Sequence, residues 1–337
     1  LFILNQFFVM IPSMKKEETE LRYNILSNEW IIISPGRKAR PNNFRKAGDC
    51  PFCEMKDQKE PKYYFYKGKE NKEKKWTTIV IPNKFPVFEE NTTKKDFLEN
   101  NFYTKKISPG FHDLIVTKEH NKFISDLPIS RIEEFFTCIS KLLIEYRKSK
   151  IVKQVAIFHN RGEKAGASQP HPHYQALTLP IIEREYQNEL NNLKNYYNKN
   201  KKCLHCEINK IEKQFNKRII AENNDFIAFC PFAPKILFQV IISPKRHMSS
   251  FEQITKEEKK SLSKIFKKIL LKYDYGFDNL DYNFFLHNSP LDKEYPYFHW
   301  YWSFSPRVNC FGGLELGFGL EISSITPEEQ AKTLRRM

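Results

Sequence analysis

The stretch Ser168-Gln-Pro-His-Pro-His-Tyr-Gln175 decides how this chain is read. On a β-strand, side chains alternate between faces. His171, His173 and Gln175 would then share one face, with Pro172, Tyr174 and Ala176 on the other. Two imidazoles and an amide in line suit either a metal site or phosphorus chemistry. A lone triplet of this kind is weak, and what gives it weight is that its surroundings recur later in the chain.

Cys50-Pro-Phe-Cys53 has a counterpart in Cys203-Leu-His-Cys206, and Leu114-Ile-Val-Thr-Lys-Glu-His120 has one in Ile241-Ile-Ser-Pro-Lys-Arg-His247. Phe158-His-Asn160 matches Leu286-His-Asn288, and His171 matches His299. His159 and His287 each precede the last histidine of their copy by 12 residues. The first and last histidines are 51 residues apart in one copy and 52 in the other. The order Cys-x-x-Cys, His, helix, His-Asn, His therefore occurs twice. The first copy is longer through the lysine-rich stretches 60–75 and 89–110, which read as solvated surface.

Cys50, Cys53, His120 and His171 form one Cys2His2 set, and Cys203, Cys206, His247 and His299 form another. Tetrahedral zinc takes thiolate and imidazole, and a Cys-x-x-Cys turn presents two sulfurs from one loop. Two Zn2+ per chain are expected, both structural, because four protein ligands leave no open position. Cys-Pro-Phe-Cys also resembles an oxidoreductase turn. A thioredoxin-type pair, however, would open a helix in a βαβ unit and needs no repeated histidines. His205 reads as a spacer, and Cys138, Cys230 and Cys310 as buried thiols. The copies differ two residues past the last ligand, where the first has His173 and the second Tyr301. An unprotonated imidazole is a nucleophile for phosphorus and a tyrosine there is not, so one active centre per chain is expected, in the first copy.

The chain has 337 residues, enough for two domains. Lys+Arg 55 against Asp+Glu 40 gives a net charge of +15, which attracts nucleic acid or small phosphates alike. A zinc-stabilised nucleic-acid-binding protein is thus a distant alternative. The cysteine and histidine pairs lie too far apart for zinc fingers and no basic recognition helix stands out, so no nucleic-acid partner is expected. Seven cysteines, four of them in Cys-x-x-Cys pairs, argue against a secreted disulfide framework. The apolar start Leu1–Ile11 is too short to span a bilayer and lacks the flanks of a signal peptide. A cytoplasmic protein with no membrane partner is expected, with translation starting at Met10 or Met14 and residues 1–13 upstream of the folded part.

Capping boxes at Ser130…Glu133, Thr255…Glu258 and Thr326…Glu329 predict three helices, the first running to about Ser149. A polar helix is expected over 181–200. Strands are predicted at 29–34, 77–82, 112–117, 154–160, 171–179, 225–230, 236–243, 281–287 and 297–304. The fold class is α+β. The expected parts are a catalytic half at 14–180, a linker helix at 181–202 and a second half at 203–337.

Ser168-x-x-His-Pro-His-x-Gln175, preceded by Asn160-x-Gly162, resembles the active-site segment of the galactose-1-phosphate uridylyltransferase family, a branch of the histidine-triad superfamily. Ser34-Pro-Gly-Arg-Lys-Ala-Arg-Pro41 resembles its basic motif, Cys50-Pro-Phe-Cys53 its zinc turn and Asn83-Lys-Phe-Pro86 its uridine-side loop. Gly313-Leu-Glu-Leu-Gly-Phe-Gly319 with the Thr326 helix resembles its closing Gly-aromatic-Glu strand and final helix. The resemblance covers nearly the whole chain from about Arg22.

It implies two pseudo-duplicated histidine-triad-like half-domains, each an antiparallel sheet with a long helix. It also implies a ping-pong nucleotidyltransferase acting on a nucleotide sugar and a sugar phosphate. His173 would take UMP from UDP-glucose and pass it to galactose 1-phosphate. Gln175 would donate to a phosphoryl oxygen, with Ser168 and Asn160 contacting the phosphates. Arg37, Arg40 and Asn83 would lie on the nucleotide side. Glu315 would grip sugar hydroxyls across a homodimer. Tyr174 departs from the glycine common in the family, but it points off the catalytic face. The Gly-Leu-Glu-Leu-Gly-Phe-Gly segment is closer to a branch that includes ADP-glucose phosphorylases, so AMP transfer from ADP-glucose to phosphate is the alternative. A simple histidine-triad hydrolase fits the duplication less well.

Overall fold

The computed structural model describes residues 18–39, 50–55, 57–277 and 280–337. Arg40 and the 1–13 segment lie outside the described residues. The first half contributes β1 (Glu20–Asn24), β2 (Glu29–Ile33), β3 (Tyr63–Tyr66), β4 (Lys69–Glu70) and β5 (Thr78–Pro82). It continues with β6 (Lys95–Glu99), β7 (Tyr103–Ile107), β8 (His112–Thr117), α1 (Ile129–Arg147), β9 (Gln154–Arg161) and β10 (His173–Leu179). Two helices follow, α2 (Arg184–Asn200) and α3 (Leu204–Phe215). The second half adds β11 (Ile219–Glu222), β12 (Phe226–Phe229), β13 (Val240–Pro244), α4 (Lys256–Gly276), β14 (Tyr282–His287) and β15 (Tyr301–Pro306). It closes with α5 (Gly313–Phe318) and α6 (Pro327–Arg336).

Eleven strands form one antiparallel sheet in the order β11-β12-β13-β15-β14-β9-β10-β8-β5-β3-β4. The repeat is visible in that order. From the middle outward, β9-β10-β8-β5 on one side mirrors β14-β15-β13-β12 on the other. The halves meet where β9 pairs with β14, in a register that sets Asn160 opposite Asn283 and Phe158 opposite Phe285. A small sheet, β2-β1-β7-β6, lies apart.

Period-2 alternation sorts the sheet's side chains onto two faces. Tyr174, Phe284, Trp302 and Phe304 point to one face and are fully buried under α1 and α4. Phe135 meets Tyr174 at 4.6 Å between ring centroids, and Phe136 meets Phe266 of α4 at 5.2 Å. The opposite face carries His173, Gln175 and Tyr301, away from the core that the two helices cover.

The boxes at Thr255 and Thr326 form, each side chain accepting from the backbone N–H three residues on. The box expected at Ser130 does not. α1 begins at Ile129 with Pro128 as its cap residue and no side-chain cap. Proline has no N–H for the reciprocal bond, so Ser130 falls inside the first turn. The segment expected as a closing Gly-aromatic-Glu strand is instead the short helix α5. Its Leu-Gly alternation looks strand-like, but Glu315 accepts from Gly312 N–H at 2.9 Å and Gly319 ends the helix at φ 65°. Cys310, expected to be buried, is exposed beside it.

Candidate active site

β10 starts at His173, two residues later than its pattern suggested, and His171 sits fully buried in the bend before it. The expected three-residue face is therefore a two-residue strand face approached by His171. The cause is local: His171 Nε2 lies 2.7 Å from the Thr117 carbonyl, which turns its ring toward the Cys50 loop.

Hydrogen bonds fix the protons on both rings. His173 Nδ1 is 3.0 Å from the His171 carbonyl oxygen, which can only accept. Nδ1 therefore carries the hydrogen and the lone pair lies on Nε2. The His173 carbonyl in turn accepts from His159 Nδ1 at 2.8 Å. Burial pushes the His159 imidazole down to about 3, so this ring is a neutral prop. Phe52, from the Cys-x-x-Cys turn, packs against both His171 (5.6 Å) and His173 (5.4 Å).

The two Cys2His2 sets assemble as expected, each with its four ligand atoms within 4.8 Å of one another. In the first, His171 Nδ1 is 3.4 Å from Cys50 Sγ, 3.5 Å from Cys53 Sγ and 3.2 Å from His120 Nδ1. Zn–S of about 2.3 Å and Zn–N of about 2.0–2.1 Å give tetrahedral edges of roughly 3.3–3.6 Å, so the spacing fits. With its Nε2–H on Thr117, His171 turns a bare Nδ1 into the cluster, the tautomer a metal needs. The second set repeats the device. His299 Nε2 meets the Pro244 carbonyl at 2.9 Å, and its Nδ1 lies 3.4 Å from Cys206 Sγ. Both clusters could hold a metal ion. His205 is not among the ligands and stacks on His299 and Tyr301.

At the loop expected to face the nucleotide, Arg37 Nη1 donates to the Phe85 carbonyl at 2.9 Å, and Asn83 Oδ1 accepts from Phe85 N–H at 2.9 Å. Both residues thus shape the 83–87 loop, which walls cavities of about 470 and 320 Å³. Sizes of this order suit small ligands. Asn160 spends its amide on a turn, donating to the Gly166 carbonyl and accepting from Asn283 Nδ2 at 2.8 Å. Ser168 is half-buried in the loop before His171. Glu315 sits after β15 in a small recess with Lys235 and Arg307.

In the second half Tyr301 stands where the first has His173, and its hydroxyl donates to Glu189 at 3.2 Å. Burial lifts that carboxyl to about 7. Two contacts around the imidazoles and Gln175 are not marked by any motif in the sequence. One is Phe52 under the paired imidazoles. The other is His112, buried at the start of β8, whose Nε2 lies 3.1 Å from Gln175 Oε1. Comparing the two copies position by position would have exposed His112, since Gln239 stands at the same distance before the second copy's first histidine.

Comparison with known proteins agrees with this geometry. The family described as "Galactose-1-phosphate uridyl transferase, N-terminal domain" matches residues 10–183, and its C-terminal counterpart matches 189–337. The ADP-glucose phosphorylase of Arabidopsis thaliana is 29% identical over 339 residues, covering 96% of this chain and 95% of its own length. The galactose-1-phosphate uridylyltransferase of Thermotoga maritima is 29% identical over 326 residues, covering 94% and 98%. Among solved structures, a uridylyltransferase superposes with a TM-score of 0.80 at 28% identity, covering 94% of this chain and 97% of that one. The Arabidopsis ADP-glucose phosphorylase with bound ADP-glucose gives 0.75 at 28% identity, covering 95% and 99%. Among the described residues, no helix is long and apolar enough to cross a membrane.

Proposed function

This chain belongs to the galactose-1-phosphate uridyl transferase family, and on that premise we propose that it moves UMP from UDP-glucose to galactose 1-phosphate through a nucleotidyl group carried on His173. The observation that carries this reading is the Nδ1–H bond from His173 to the His171 carbonyl, which puts the attacking lone pair on Nε2. Nε2 forms a bond to the α-phosphorus, and the bond from that phosphorus to glucose 1-phosphate breaks. In the return step a phosphate oxygen of galactose 1-phosphate attacks, the P–N bond breaks and UDP-galactose leaves. Sugar phosphates leave readily, so catalysis rests on position and charge.

Gln175 donates to a non-bridging oxygen. Ser168 faces the phosphates, and Asn160 supports them through the turn that it closes. Arg37 and Asn83 shape the nucleotide side, where Arg40 would meet the nucleotide, and Glu315 contacts sugar hydroxyls. We assign zinc to both clusters, where it would lock the turns that hold His171 and His299. The halves divide near the α2 linker, with the chemistry in the first. Exposed Leu316, Phe318, Leu320 and Ile322 beside Glu315 fit a face covered by a second copy, hence a homodimer. Seven cysteines, none of them in a disulfide, suit the cytoplasm.

A second reading, AMP transfer from ADP-glucose to inorganic phosphate, is favoured by the equal likeness to the Arabidopsis phosphorylase. Incubation with UDP-glucose or ADP-glucose labelled at the α-phosphorus, followed by rapid denaturation, tests both. Label held on His173 from UDP-glucose and discharged by galactose 1-phosphate supports the first reading. Label from ADP-glucose alone, discharged by phosphate, supports the second. No adduct from either donor sinks both.

A further inference from the structure

The structure assigns His112 a part in this reaction: it is a positioning residue that fixes which end of the Gln175 amide faces the phosphoryl group. The assignment rests on the nucleotidyl-transfer reading above, and holds whichever nucleobase is carried. His112 pairs with Leu177 across β8 and β10, so its side chain shares the face of His173 and Gln175. Its ring is only 4% exposed and lines the smaller of the two cavities walled by the 83–87 loop.

Three groups around the imidazole dictate its tautomer. The backbone N–H of Val87 approaches Nδ1 at 3.1 Å and can only donate, so Nδ1 accepts. In the neutral ring the hydrogen is then on Nε2. Near Nε2 lie Asn83 Nδ2 at 3.2 Å and Gln175 Oε1 at 3.1 Å. The Asn83 oxygen is already held by Phe85 N–H, so an amide nitrogen, itself a donor, is what Asn83 turns toward the ring. The imidazole hydrogen goes to Gln175 Oε1.

Among the described residues, this is the one hydrogen bond of the Gln175 side chain, and it decides the amide's sense. With Oε1 held, the N–H bonds are what Gln175 offers to a bound phosphate. A flipped amide would present its oxygen to an anion. Because His112 also ties down Val87, one ring joins the nucleotide-side loop to the phosphoryl donor. The second copy makes the same cross-strand tie with other residues. Gln239, eight residues before His247 as His112 is before His120, donates to Ser303 Oγ at 3.1 Å. Ser303 follows His299 by four, as Gln175 follows His171. The tie thus belongs to the fold, and only the catalytic half builds it from imidazole and amide.

Two isosteres separate the two ring nitrogens. Asparagine at 112 places its oxygen near Nδ1, keeping the Val87 bond and losing the Gln175 bond. Glutamine places its amide nitrogen near Nε2 and does the reverse. Nucleotidyl transfer is first measured in the wild type with UDP-glucose and ADP-glucose, and the variants are read with the active donor. His112→Asn is expected to lower kcat by about 10- to 100-fold with little change in KM, the scale of a weakened oxyanion donor. His112→Gln is expected to recover most of kcat while raising KM. Placed on Gln175→Ala, His112→Asn should cost less than about threefold more, since the bond it removes is already gone. Thermal melts and metal content show that each variant is folded. Equal loss of kcat in the Asn and Gln variants, or an undiminished loss on the Gln175→Ala background, overturns the assignment. A wild-type protein that transfers no nucleotide fails at the first measurement and takes the assignment of His112 with it.

Discussion

Two histidines separated by one proline are held in opposite tautomers because each has a different carbonyl to satisfy. His171 gives its Nε2–H to Thr117 and faces the cysteines with Nδ1, whereas His173 gives its Nδ1–H to the His171 carbonyl and carries its lone pair on Nε2. His173→Ala is therefore expected to cut exchange by about 10⁴-fold or more, with melting temperature and metal content unchanged. His171→Ala should instead lose the metal and yield little folded protein. Metal analysis alongside activity distinguishes them, and equal metal loss in both variants would end this division of labour. The ligands were legible in the sequence because their spacing recurs. His112 is not marked by that recurrence, because its counterpart is Gln239 and the pair shows only when the copies are set side by side. Tyr174 was read correctly as pointing away, and its ring packs between His159 and Phe135 on the helix face.

At the level of elements, legibility followed locality. The caps at Thr255 and Thr326 are written within four residues and both form. The strands β6 and β7 are not written locally. Lys95–Glu99 is exposed throughout, and the hairpin is placed by the pairing of β7 with β1, about eighty residues earlier, which no local period records. Helix α3 has no local signal for a related reason: it starts directly after Cys203, which makes no side-chain cap, within a Cys-x-x-Cys pair that is also compatible with a loop. The turn after β9 offers a test. Gly162 has φ +82°, and a Cβ there would sit 1.8 Å from Asp281 Oδ1. Asp281 itself holds Lys164 N–H at 2.8 Å. Gly162→Ala is expected to cost about 2–4 kcal/mol in chemical denaturation, since both the backbone region and the space are denied to a side chain. A loss below 1 kcal/mol would show that the turn rearranges freely.

For the molecule as a whole, burial of His159 predicts an acid limit. The folded ring resists protonation down to about 3, whereas an exposed histidine titrates near 6.5. Between those values the unfolded chain binds the proton and the folded one does not, so stability falls as pH drops below 6.5 and is unaffected by this group above it. The slope is at most about 1.4 kcal/mol per pH unit. Going from pH 7.5 to 5.5, the wild type should lose about 1 kcal/mol more than His159→Gln, and parallel losses in denaturant titrations would refute the origin proposed. The α+β class and the duplication were readable in advance. That the two halves fuse into one sheet was not, because the β9–β14 pairing joins strands whose sequences carry no mark of their neighbour. The outer edges are blunted differently: β4 is two charged residues long, while β11 is overlaid by α6, whose Arg335 donates to the Ile219 carbonyl at 2.6 Å.

The seam between β9 and β14 carries an evolutionary corollary. Once two ancestral units were welded flank to flank, each covered a ladder of backbone groups that would otherwise recruit stray strands. The second copy carries a phenol, Tyr301, where its twin has the imidazole of His173. Deleting that copy would strip the survivor's flank bare. The second copy is held here as architecture.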